Sequence, residues 1–276
     1  MRRAPFLLLL LLVAPVPVFG WSARAHRLVT DLAVDLVPAP CAEHFRTARA
    51  ELMQRSVEPD TVLRDRDGQR EAVRHFIDLD AYMPYPFSGF PRTYREAVAR
   101  YDHRTVNARG VVPWVILRLR RQLREDLRTH NRDAIVRDAG YLSHYVADAH
   151  QPLHLTVNHD GQRTSNDGVH LRLELDIVDA RIESYEAALR GHLPNAKPLH
   201  DVRSVIFADF VTTYPLVDTI MQADRAAAGS LWRYSPFYYR RMDAALHSTI
   251  ERQLGRAAVV LASIWTTACV EAHDAP

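Results

Sequence analysis

The chain has 276 residues, 47% of them hydrophobic, enough apolar material for one substantial core or two small ones. Its 35 Lys and Arg against 33 Asp and Glu leave a formal net charge of +2, which argues against a strongly basic nucleic-acid-binding surface. Two distant cysteines, Cys41 and Cys269, do not form a zinc-finger pattern, so any metal ligands must be His and carboxylate, and fourteen histidines is a high count.

Met1 to Pro5 is basic at its start and is followed by an unbroken apolar run from Phe6 to Val13. A proline-rich stretch then ends in Val18-Phe19-Gly20. This is the pattern of a secretory signal, with residues 1–20 removed and Trp21 as the new N-terminus. The apolar run is too short to span a bilayer. No later segment reads as long and apolar enough to do so, so the expectation is a secreted or periplasmic protein cut between Gly20 and Trp21. Residues 21–276 contain no linker, repeat or low-complexity stretch and read as one domain.

Helical periodicity begins at Ala25 to Leu36, where Leu28, Val29, Leu32, Ala33 and Leu36 form one stripe. Glu43 to Gln54, Asp67 to Phe76 and Thr93 to Arg100 read as helices, followed by long ones at Val112 to Thr129 and Asp133 to Ala149. Pro152 should end the latter, because the residue before a proline avoids the helical region. His170 to Leu189, Asp201 to Ala228 and Pro236 to Glu271 complete the set. Tyr82 to Pro91, with three prolines and four aromatic rings, reads as a surface loop, and Asn158 to Gly168 as a polar one. No run alternates as a strand. The expected class is all-α, a single-domain multi-helix bundle around an interior site. A disulfide between Cys41 and Cys269 and a pair of buried free thiols both fit an exported chain.

The chemistry concentrates in Tyr141 to His154. His144 and Asp148 stand four residues apart, so on a helix they share a face, and His154 lies past the break. Alone, such a pair is more simply a buried hydrogen bond. Further pairs shift the balance. His170 and Glu174 repeat the spacing, Asp60 precedes His75-Phe76-Ile77-Asp78, and Trp21 precedes His26. A free amine on Trp21 could chelate a metal together with its own carbonyl oxygen. His150 and His159 flank the site, with core or surface roles the simpler reading. The same holds for the aromatic run Trp232, Tyr234, Phe237, Tyr238 and Tyr239 as core, and for Arg118, Arg120, Arg121, Arg124 and Arg128 as a solvated helix face.

In these residues, in this order, the chain resembles the zinc-dependent phospholipase C and single-strand-specific nuclease superfamily, from Trp21 to Glu174 by motif. The resemblance implies a trinuclear zinc cleft, with Zn2+ at three positions per chain. Asp60, His75, His144 and Asp148 would hold one ion, and Trp21 and His26 a second with Asp148 bridging. His154, His170 and Glu174 would hold the third. Asp60 and Asp148 would be the catalytic carboxylates, poising hydroxide for in-line attack on phosphorus. Phe76 and Asp78 would line a base pocket. Glu174 in the last ligand position and the short loop after His154 match the phospholipase form, and Leu63 stands where nucleases often carry an arginine three residues after the metal Asp, with Arg64 one place off. His75-Phe76-Ile77-Asp78 matches the nuclease form.

The implied function is a secreted phosphodiester hydrolase, phospholipase-C-like or of broad specificity. A single-strand-specific endonuclease or 3′-nucleotidase is the alternative within the superfamily, and an exported, non-catalytic, zinc-stabilised helical protein the alternative outside it. The expected partner is a phosphodiester substrate, a phospholipid head group or single-stranded nucleic acid. No stable protein partner is evident, and the expected state is a monomer.

Overall fold

A computed structural model describes residues 21–229 and 234–274, so the expected signal segment 1–20 and Trp232 lie outside the described residues. Ser22 caps the first helix, α1 (Ala23–Leu36), its hydroxyl accepting from the Ala25 amide at 3.2 Å. Short helices α2 (Ala42–Arg46), α3 (Arg49–Arg55), α4 (Arg64–Asp67) and α5 (Gln69–Ala72) follow, with a wide π-type turn at Pro59–Leu63. Next come α6 (Tyr94–Tyr101) and α7 (His103–Ala108), then the long α8 (Val112–Arg128) and α9 (Arg132–Asp148). After a 3-10 turn at Pro152–Leu155 the chain forms α10 (Val169–Leu171), a second wide turn at Arg172–Val178, α11 (Ile182–Leu189), α12 (Val202–Thr213), α13 (Leu216–Ala228) and α14 (Pro236–His273). The described residues are all-α, with no strand among them.

The core follows from the apolar stripes. α8 buries Ile116, Leu119, Leu123 and Leu127, and α9 buries Ile135, Val136, Ala139, Leu142, Tyr145 and Val146. These steps of three and four residues let the two helices pack along their length. α14 packs against α1, α8, α9 and α13 and is apolar on most sides because it is surrounded. Near its C-terminal end Trp265 stacks on Phe45, with ring centroids 4.6 Å apart. Cys269 is joined to Cys41, tying the segment after α1 to the last helix.

Several sequence expectations need correction. The helix at Glu43 to Gln54 breaks at Thr47 and Ala48, and the one at Asp67 to Phe76 breaks at Gly68, whose φ of +54° no α-helix accommodates. Asp201 to Ala228 breaks at Tyr214 and Pro215, since proline has no amide to donate. α7 was not expected. The Tyr82 to Pro91 segment is a loop exposed at Pro84, Tyr85, Pro86, Ser88 and Gly89, as expected, but anchored from within by buried Phe87, Phe90 and Pro91, with Phe90 packing on Tyr82 at 5.1 Å. Two stretches, Val202–Ala228 and Pro236–His273, are long and apolar enough by length and composition to cross a membrane, contrary to the expectation that none is. In the second, 83% of the apolar window is buried within the fold, as in a core helix.

The disulfide spans 228 residues of sequence, so it removes much of the unfolded chain's freedom. Replacing both cysteines with alanine is expected to lower unfolding free energy by about 2–4 kcal/mol, measured by urea denaturation of oxidised wild type against the variant. Equal midpoints would show that the bridge contributes nothing.

Candidate metal centre

α9 carries the centre. His144 and Asp148 lie one turn apart near its C-terminal end, both fully buried. The imidazole of His144 is aimed by its other nitrogen, since Nδ1 donates to the Ser56 carbonyl at 2.8 Å. That contact needs α3 close to α9, and Gly140 permits it: a Cβ there would lie 2.3 Å from Arg55 Cβ. His144 Nε2 thereby faces His75 Nδ1 at 2.9 Å and Asp148 Oδ2 at 3.2 Å.

His75 sits in the bend after α5. Its Nε2 faces Glu71 Oε1 at 3.4 Å, which leaves Nδ1 turned inward, 3.0 Å from Asp148 Oδ2 and 3.5 Å from Asp60 Oδ1. Glu71 is itself fully buried and accepts from the Tyr145 hydroxyl and from Arg74. Asp60 lies in the wide turn at Pro59–Leu63. That turn brings Arg64 against it, with Nη2 3.2 Å from Oδ1.

The other oxygen of Asp148 points elsewhere, 3.5 Å from His26 Nε2 and 3.7 Å from His154 Nδ1. His26, in the first turns of α1, stacks on His144 with ring centroids 3.9 Å apart. Trp21 is buried, and its indole N–H donates to the Ala147 carbonyl at 3.0 Å, fixing the residue beside the turn that carries Asp148. His154 Nδ1 donates to the His75 carbonyl at 2.8 Å, and its Nε2 lies 3.2 Å from His170 Nε2. His170 Nε2 is 2.7 Å from Glu174 Oε1, which also accepts from the Gln151 amide at 2.5 Å.

Three donor groups result: Asp60, His75 and His144; His26, His144 and Asp148; and His154, His170 and Glu174. His44, Cys269 and His273 form a fourth grouping, but Cys269 is in the disulfide and has no thiolate to offer. Burial, followed by repulsion from His144, lowers the pKa of His26 to about 3, so the ring is neutral and one of its nitrogens keeps a lone pair. For His75 burial works downward, but Asp148 and Glu71 outweigh it and raise the pKa to about 9. Burial opposes the charge of Asp148, yet His144 and His154 hold it well below the usual carboxylate range, while burial pushes Glu174 well above that range.

The donor set fits bound cations. Both nitrogens of His26, Asp148 Oδ1 and Glu174 Oε2 are buried without a hydrogen-bond partner. Each such atom costs about 1–3 kcal/mol unless something occupies it. Imidazole and carboxylate at these spacings are the ligands zinc accepts.

Phe76 and Asp78 fall outside the three groups. Phe76 is half-buried beside Gly110, whose added Cβ would lie 2.7 Å from the Phe76 ring. Asp78 is buried 3.4 Å from Arg109 Nη1. Burial raises its pKa to about 6, with Arg109 opposing. His150 takes a core role, its ring nitrogens facing the Val146 carbonyl at 2.7 Å and Asp209 at 3.3 Å. His159 is half-buried, its ring 6.1 Å from that of His170. Tyr238 is core, its hydroxyl donating to Asp224, whereas Phe237 is exposed. Sequence reasoning missed Glu71, Gln151 and the Ser56 carbonyl. Glu71, four residues before His75, was the one findable by spacing.

Because the two oxygens of Asp148 face different donor groups, Asp148→Asn is expected to release more zinc per chain than Glu174→Gln, as read by metal analysis after dialysis. Equal or smaller loss from Asp148→Asn would remove the bridging role.

The S1/P1 nuclease family model matches residues 21–171. No curated protein sequence matches the chain. Among solved structures, alpha-toxin from an avian strain of Clostridium perfringens superposes with a TM-score of 0.52 at 13% identity, covering 89% of this chain and 66% of that one. Alpha toxin from Clostridium absonum gives 0.50 at 11%, covering 94% and 65%. At such identity the likeness is one of fold, and the chain spans about two-thirds of the length of these proteins. The family match begins at Trp21 and runs through His170, and on that evidence the chain belongs to the S1/P1 nuclease family, within the superfamily of zinc-dependent phospholipases C and single-strand-specific nucleases.

Proposed function

We propose that this chain is a zinc-dependent phosphodiester hydrolase whose metal ligands are Trp21, His26, Asp60, His75, His144, Asp148, His154, His170 and Glu174. The observation that carries the reading is the convergence of three buried donor groups on α9 and its neighbours, with unpartnered ligand atoms between them. Bound zinc supplies Lewis acidity, which lowers the pKa of water and neutralises charge on a phosphoryl group. The chain's own residues prepare the site. The carbonyls of Ser56 and His75 and the carboxylate of Glu71 set which nitrogen each imidazole presents. Asp148, held ionised, draws the first two groups together, and the Arg64 guanidinium lies where it can meet the charge of a phosphodiester near Asp60.

For the substrate, the family match is the specific observation, and it favours single-stranded nucleic acid. Glu174, together with exposed Leu171 and Leu175 beside the third group, supports a phospholipid head group as the second reading. In this proposal residues 1–20 are a leader, residues 21–276 are one catalytic domain acting as an exported monomer, and cleavage frees the Trp21 amine. Zinc content near three per chain, with hydrolysis of single-stranded DNA, RNA, phosphatidylcholine or an aryl phosphodiester that chelation abolishes, is the expected result. A metal-free, inactive chain would overturn it.

Retaining one residue before Trp21 is expected to cost one zinc and most activity; full activity would exclude the terminal amine as a ligand. Phe76→Leu keeps most of the apolar volume but removes the ring. Base stacking contributes about 1–3 kcal/mol, so KM for a dinucleotide should rise about 5- to 150-fold while an aryl phosphodiester is unaffected. Equal effects on both substrates would count against a base pocket.

A further inference from the structure

A cavity of about 880 Å3 opens beside the segment that leads into His75, where Gln69, Arg70, Val73 and Arg74 line it. Arg70, Arg74, Arg92, Arg118, Arg121 and Arg203 line it, and no acidic side chain does. Only Arg74 is ion-paired, its Nη1 donating to Glu71 at 2.7 Å; the other five form no ion pair among the described residues. Burial and the nearby charge of Arg74 lower the pKa of Arg118. Elsewhere on α8, Arg120 pairs with Glu271 and Arg128 with Glu125, while Arg124 forms no ion pair among the described residues. Five arginines without an ion pair thus face one cavity, in a chain whose formal net charge is only +2.

The rest of the wall is apolar and aromatic. Val73, Val111 and Val115 contribute, and Trp114 and Tyr94 meet edge to face at 5.5 Å. Gln69, Thr93 and Asn107 add neutral polar edges. Guanidinium forks match phosphate oxygens, aromatic walls match a flat ring, and side-chain amides match the polar edge of a base. The Asn107 amide already donates to the Tyr94 hydroxyl at 3.0 Å and the His103 carbonyl at 2.8 Å, so of the two amides Gln69 is the one an acyl chain would leave unused. The volume lies within the range of small-molecule sites.

We propose that this cavity is a binding site for a nucleoside phosphate, distinct from the metal centre and independent of what that centre hydrolyses. Its arginines hold the phosphate and its aromatic wall the base. The ligand's source is either a free mononucleotide or one unit of a single-stranded polynucleotide.

The test is calorimetric titration of the zinc-loaded full chain with adenosine 5′-monophosphate, a short oligothymidylate, inorganic phosphate and decyl phosphate. Wild type is compared with Arg118→Gln/Arg121→Gln, and hydrolysis of an aryl phosphodiester is followed in parallel. The double variant should bind the mononucleotide about tenfold more weakly or worse, with aryl phosphodiester hydrolysis unchanged. Tighter binding of the oligothymidylate than of the mononucleotide assigns the site to a polynucleotide, and the reverse to a free nucleotide; either supports the proposal. Unchanged mononucleotide affinity in the variant overturns it, as does tighter, arginine-dependent binding of decyl phosphate. Should the double variant fail to fold, Arg121→Glu at the exposed rim carries the same comparison. Failure of the hydrolase reading would appear separately, as absence of aryl phosphodiester hydrolysis in both proteins.

Discussion

One carboxylate, Asp148, stands fully buried among four imidazoles, and the surrounding architecture answers to it. A buried charge is tolerated only where partners surround it, and here they come from four directions: His26 from α1, His75 from the segment after α5, His144 from the same helix and His154 from the turn beyond it. Each partner is held by something else in turn. The outer nitrogens of His75, His144 and His154 face a carboxylate or a carbonyl, so the inward-facing nitrogen is set by the protein before any ligand arrives. In such a site the cost of ordering is met during folding, which is what precise binding of a cation requires.

The scaffold serves that convergence. α9 is the spine, and its close approach to α3 depends on the absence of a side chain at Gly140. α14 covers α1, α8, α9 and α13 with apolar surface, and its link to Cys41 joins the two ends of the described chain. Close packing of this kind transmits position: helices that cannot slide against one another hold ligands from distant parts of the sequence at ångström precision.

Charge is distributed unevenly over this frame. At the candidate metal centre carboxylates and imidazoles stand together, whereas along one side of α8 arginines face a hollow lined by no acidic side chain. Near-neutral composition conceals this contrast, because net charge sums over the surface and says nothing of where unpaired groups face each other.

Some of this was legible in the sequence. The all-α class and the long helices α1, α8, α9 and α14 follow from steps of three and four between apolar residues, a local pattern that packing then reinforces. The pairs His144 and Asp148, and His170 and Glu174, were legible for the same reason, since a helical turn puts residues four apart on one face. The breaks at Thr47, Gly68 and Pro215 were less so, because two short helices and one long one carry the same apolar period. That Asp60, His75 and His26 meet at Asp148 could be expected only through the family resemblance. Residues dozens of positions apart come together through helix packing, and no local spacing encodes that. The roles of Glu71, Gln151 and the Ser56 carbonyl, and the hollow that Arg74, Arg118 and Arg203 share, were decided by tertiary structure alone. A second-layer hydrogen bond or a shared cavity exists only once separate helices have docked, and nothing in the order of residues along the chain carries that distance.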